Sequence, residues 1–179
     1  YFGLKKENTE KEEIDAKRLF ELSCINTAKK YSNSVPFDFL ATLAQIHNNF
    51  SDIKAILKRL NYRFNEDLTK KRFGIAKEWV GLYAPEEMRF KIRESVKDLE
   101  VNEKERKALH LIAERLKKKS WNEKDLYNEF YNVCNEVDIS NTDFFKIAYK
   151  VLIDKEKGPR LASLILSMDK NKVIGLFEM

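Results

Sequence analysis

The chain is short of the residues that usually announce chemistry: two histidines, two cysteines, three prolines and five glycines in 179 residues. Cys24 and Cys134 stand far apart without CxxC spacing, which suits a reducing compartment and argues against a disulfide framework or a structural zinc site. Both fall on apolar helical faces, so buried free thiols are expected. No apolar run approaches the length of a membrane span, and no signal-peptide pattern is present. A P-loop, a GxGxxG turn and an HExxH helix are all missing. His47, in AQIHNNF, and His110, in KALHLIAERL, each read as structural, and neither has a second histidine close enough to suggest a metal site. The acid pairs Glu12-Glu13 and Glu86-Glu87 read as helix-dipole partners rather than acid–base pairs. Catalysis by this chain alone is not expected. The chain opens YFGLKK without a methionine, and the expectation is a piece of a longer protein.

What the chain has in quantity is charge and apolar side chains. Hydrophobic residues make up 43% and charged residues 35%, a globular rather than a disordered balance. Net charge is +5, with 34 bases set among 29 acids, a weak lean towards a polyanionic partner.

Almost every segment carries helical spacing. In SDIKAILKRL, Ser51 reads as an N-cap and Ile53, Ile56, Leu57 and Leu60 fall on one face. Residues 67–83 continue with Leu68, Ile75, Ala76, Trp79 and Leu82, and stop before Pro85. Pro85 is expected to open a short helix, PEEMRFKI. Capping pairs then recur, Asn102 with Glu105, Ser120 with Glu123 and Ser140 with Asp143. Each precedes an apolar stripe: Leu109, Ile112, Ala113 and Leu116; Leu126, Phe130, Val133 and Val137; Phe144, Ile147, Ala148 and Val151. No segment alternates as a strand. The expected fold is all-α, roughly nine or ten helices without a sheet, in two closely packed helical subdomains. The polar stretch KDLEVNEKER divides residues 1–97 from 98–179.

Binding is better supplied than catalysis. Tyr62 beside Arg59 and Arg63, Phe73 beside Lys70, Lys71 and Arg72, and Phe90 between Arg89 and Lys91 set rings among bases, a pattern that suits stacked nucleobases and held phosphates. The structural alternative is that the rings are core and the bases solvate the other face. The run RLKKKSW, 115–121, reads better as a helix end whose cations favour the dipole. In DKEKGPRLASLI, Gly158 suits an N-cap and Pro159 the first helical position. Lys155, Lys157 and Arg160 then crowd the positive end of a helix, which calls either for a bound anion or for a carboxylate from elsewhere in the chain.

Taken in order, FELS (20–23), VPFDFLATLAQI (35–46), AKEWVGLYAPEEMRFKI (76–92) and DKEKGPRLASLI (154–165) resemble the C-terminal portion of class I lysyl-tRNA synthetases. The opening YFG is similar to the point where that family leaves its catalytic domain. The resemblance implies a helical cage that binds the anticodon stem-loop of lysine tRNA. Residues 1–97 would be a linker with a first anticodon-binding subdomain, and 98–179 a second. The family's ATP, magnesium and HIGH- and KMSKS-type signatures belong to a catalytic domain absent here, so no cofactor or metal is expected in this chain. The implied setting is cytoplasmic translation, without a DNA or membrane partner. Trp79, Tyr83, Arg89, Phe90, Lys155, Lys157, Gly158 and Arg160 are the expected RNA-contacting residues. The competing expectation is a helical protein-interaction scaffold without RNA specificity.

Overall fold

Ser140 ends a loop and begins a helix: its Oγ accepts from the Asp143 amide at 3.1 Å and donates to the Asp143 carboxylate. Such caps, with amphipathic stripes behind them, generate the fold. The structure, a computed structural model, describes residues 35–96 and 99–178. Cys24, Glu12-Glu13, FELS and the YFG opening lie outside the described residues. Those described form α1 (Phe37–Ile46), α2 (Phe50–Arg59), α3 (Glu66–Leu82), a 3-10 turn (Glu86–Met88), α4 (Glu103–Lys118), α5 (Glu123–Val137), α6 (Asn141–Ile153), α7 (Leu161–Ser167) and α8 (Lys170–Phe177). There is no strand among them, and the fold is all-α.

Two apolar clusters hold these helices. The front cluster packs α1 on α3 and includes Phe39, Leu40, Leu43, Ile53, Leu57, Phe73 and Ala76. The back cluster is larger and is built on α4 to α8, with Phe130, Phe144 and Phe177 fully buried. The two are joined by several contacts. Ile46, Phe90, Ile92 and Val96 pack against the back cluster from the first half of the chain. The Arg93 amide donates to Leu152 O at 2.9 Å. The C-terminus of α7 is held by two front-half side chains: Arg59 donates to Leu166 O, and His47 Nε2 lies 2.7 Å from Ser167 O. A carbonyl only accepts, so that nitrogen carries the proton. His47 is thus structural, as expected.

The apolar stripes of α4, α5 and α6 are buried as their spacing predicts. Asn102 and Glu105 form a full capping box on α4. Other expectations are corrected. Helix α2 starts two residues earlier, with Asn49 rather than Ser51 at the N-cap position. Helix α5 is capped by Asn122, which accepts from the Asp125 amide at 2.8 Å, and not by Ser120. PEEMRFKI makes one 3-10 turn and then runs extended, because Gln45 captures it: Gln45 Oε1 accepts the Phe90 amide at 2.7 Å, and Gln45 Nε2 donates to Met88 O. Helix α3 is rotated from its expected face. Thr69, Phe73 and Ala76 are buried, whereas Ile75 and Leu82 are 59% and 69% exposed.

Candidate nucleic-acid interface

The stretch 154–160 begins where α6 ends. Asp154 takes a left-handed φ of 56°, a conformation that Asp tolerates better than most residues, and its carboxylate pairs with Arg93 at 2.7 Å. Lys155 Nζ then donates to Glu86 O at 2.7 Å, so this lysine holds the 3-10 turn. The structure thereby brings 154–160 against the segment that carries Arg89 and Phe90. Glu156 pairs with Lys146 at 2.9 Å, and that hydrogen bond holds its carboxyl below the usual range. Lys157 and Gly158 are exposed.

The helix does not start at Gly158-Pro159. Arg160 is the N-cap residue and Leu161 the first helical one. The reason is Tyr149, whose hydroxyl donates to Pro159 O at 2.5 Å and keeps the Gly-Pro pair outside the helix. Burial pushes the Tyr149 phenol up to about 12. Helix α7 has seven residues, too short to rely on its dipole for an anion. The charge here comes from side chains. Arg160 is 87% exposed, with a guanidinium nitrogen 3.8 Å from Glu123 Oε1, so a chain carboxylate lies near but does not bind it closely. Tyr62 is in the same neighbourhood: its phenol is raised by burial first and then by Glu123, while Arg160 lowers it.

The other expected residues are spread differently. Arg89 turns inward and donates from Nε to Ala84 O at 2.9 Å. Phe90 is half-buried against the back cluster. Trp79 is half-buried in the front cluster, edge-on to Phe37 with centroids 5.8 Å apart. Tyr83, the C-cap residue of α3, is 73% exposed, and Ile75 and Leu82 on the helix before it are exposed as well. Phe73 is core. In RLKKKSW, Arg115 pairs with Glu129 and Glu136, and Lys119 lies 3.8 Å over the Trp121 ring. Both contacts fit the structural reading of that run.

Of the rings near Arg160, the sequence singles out Tyr62 but not Tyr127 or Tyr149. Tyr127 and Tyr149, from α5 and α6, line a pocket with Arg160. One local signal existed: Tyr127 and Tyr131 are one helical turn apart and off the buried Leu126–Phe130 stripe. Among the described residues, no group of three or more His, Cys, Asp or Glu side chains is placed to hold a metal, and no helix is long and apolar enough to cross a membrane.

No protein-family model matches the chain. Individual proteins do. The chain is 33% identical over 183 residues to a protein named lysine–tRNA ligase from Pyrococcus horikoshii, covering 97% of the chain and 34% of that protein. It is 32% identical to the one from Thermococcus kodakarensis, covering 97% and 35%. It is 34% identical to the one from Borreliella burgdorferi, covering 98% and 33%. The chain therefore spans about a third of the length of these relatives, and over nearly all of its own length it is similar in sequence to lysine–tRNA ligases.

Proposed function

We propose that this chain is the anticodon-recognising part of a class I lysine–tRNA ligase, and that it binds the anticodon stem-loop of lysine tRNA in the cytoplasm. Lysine activation, with its ATP and magnesium, belongs on this reading to the part of the relatives that the chain does not span. The observation that carries it is the exposed Arg160, set beside aromatic rings, in a chain whose relatives over almost its whole length are named lysine–tRNA ligase. Lys157 and Arg160 offer unburied charge to a phosphate or a base edge, and Tyr83 offers an exposed ring. Lys155, Arg89 and Phe90 serve the interface by holding the turn that frames it. Gly158 lets the backbone lie close against Tyr149.

The test is binding to a lysine-tRNA anticodon stem-loop, beside one whose central uridine is changed, at two salt concentrations. Tighter binding to the cognate loop is expected, with a log–log salt slope of roughly 0.7–0.9 per phosphate contact. Neutralising Lys157 should weaken both RNAs alike. Arg160→Ala should narrow the difference between them by about 1–3 kcal/mol if its guanidinium reads a base. Equal losses on both RNAs would remove the base-reading role.

The outer face of α3 favours a second reading. Ile75, Leu82 and Tyr83 are all exposed there, which suits a docked protein partner. That reading expects binding that salt hardly changes.

A further inference from the structure

The pocket beside Arg160 has a volume of about 680 Å³, within the roughly 300–1,000 Å³ of small-ligand sites. Its walls are Tyr127, Phe145 and Tyr149, and its rim carries Glu123, Lys124 and Arg160. A second pocket of about 670 Å³, near Lys172, has aliphatic and charged lining residues without a ring. The composition of the first is what an unpaired nucleotide asks for: flat π-faces for the base and cations for the phosphate.

The rings are also held in place. Tyr127 is 47% exposed, yet its hydroxyl lies 2.5 Å from that of Tyr131 and its ring packs on Tyr131 and Phe145, with centroids 5.1 and 6.4 Å away. Phe145 is in turn wedged against Phe130 and Phe144. Tyr149 is fixed by its bond to Pro159 O. Rings with so little freedom lose little entropy when a base stacks on them. The rim is the opposite: Arg160 is nearly fully exposed and 3.8 Å from Glu123, so it can swing to a phosphate without breaking a close pair.

We propose that this pocket, between α5, α6 and the start of α7, takes a single unpaired nucleobase stacked on Tyr127, with the adjoining phosphate held by Lys124 and Arg160. The proposal rests on the RNA-binding reading above, and adds to it a place and a ligand class: single-stranded rather than paired RNA.

The experiment uses the 179-residue chain with three RNAs: the lysine-tRNA anticodon stem-loop, a short single strand of the loop sequence, and a duplex of the same composition. Tyr127→Ala, at a partly exposed ring outside the core, should weaken the stem-loop and the single strand roughly tenfold or more and leave the duplex unchanged. Tyr127→Phe keeps the ring and its packing on Tyr131 and Phe145 and loses only the hydroxyl contact, so it should bind far closer to the wild type than Tyr127→Ala does. A 4-thiouridine placed in the loop should cross-link to the wild-type chain within 124–127, 145–149 or 160–162. Wild-type affinity in Tyr127→Ala, or cross-links confined to other segments, would overturn the pocket while leaving RNA binding intact. Failure of the wild-type chain to bind any of the three RNAs at low salt would overturn the RNA reading itself, and the pocket with it.

Discussion

Gly158 has no left-handed backbone to explain it, so close approach is what demands a glycine there. A Cβ at this position would stand 2.8 Å from Ile153 Cδ1 and 3.0 Å from two ring carbons of Tyr149. Neither neighbour yields easily, since Ile153 is buried and the Tyr149 ring is pinned through its hydroxyl. Gly158→Ala should therefore destabilise the chain by about 1–3 kcal/mol, read by urea denaturation. An unchanged midpoint would show that the loop relaxes freely. Tyr149 itself makes stability pH-dependent. Its folded pKa, about 12, lies above the ordinary value of 10, so the folded state holds a proton that the unfolded chain gives up first. The stabilisation is full below pH 10 and is lost as pH rises towards 12. After a discount for partial exposure it amounts to roughly 1–2 kcal/mol. Denaturation at pH 9 and 11.5 measures the loss, and Tyr149→Phe should flatten it, while itself costing about 1 kcal/mol through the unpaired Pro159 carbonyl.

Helix α4 shows what an element reveals before it is seen. Asn102, Glu105 and a single apolar stripe all point to the same start and the same buried face, and the structure has both. Helix α5 was legible in its stripe but not in its first residue, because Ser120 and Asn122 are both competent caps and the choice depends on where the chain arrives. The two can be told apart: Asn122→Ala should cost about 1 kcal/mol, and Ser120→Ala close to nothing. Helix α3 was legible as a helix but not in its orientation. Leu68, Phe73, Ile75, Ala76, Trp79, Val80 and Leu82 satisfy helical spacing on more than one face, and only packing against α1 decides between them. Phe73→Ala should thus cost about 3–5 kcal/mol, while Leu82→Gln should change stability by less than about 0.5 kcal/mol. Similar losses at both positions would contradict the observed rotation. The aromatic pocket was hidden for a related reason. Its rings come from two helices, and each ring by itself reads as an ordinary amphipathic residue.

At the scale of the molecule the question is whether two apolar clusters mean two folding units. The sequence reads as two closely packed subdomains, 1–97 and 98–179, and the described residues hold a front and a back apolar cluster. Yet Ile46, Phe90, Ile92 and Val96 pack against the back cluster, and His47 and Arg59 close the end of α7. If the back cluster melted alone, those four side chains would lose their apolar cover. The amide of Arg93 and the carbonyls of Glu86, Leu166 and Ser167 would lose or exchange their partners. Several such losses at about 1 kcal/mol each, with the exposed apolar area added, are comparable with the whole stability of a domain of this size. The described residues also fall in a single compact unit. Cooperative unfolding is the expected behaviour, and the chain carries its own reporters. Its two tryptophans are divided between the clusters, Trp79 in the front one and Trp121 against the back one. In urea, Trp79→Phe and Trp121→Phe each leave one fluorophore. Within each variant, the midpoint read by the remaining tryptophan should coincide with that read by far-UV circular dichroism, which follows all the helices together. A tryptophan transition displaced from the dichroism in either variant would mean two units that fold separately, and then the proposed anticodon binding would have to be tested on each half by itself.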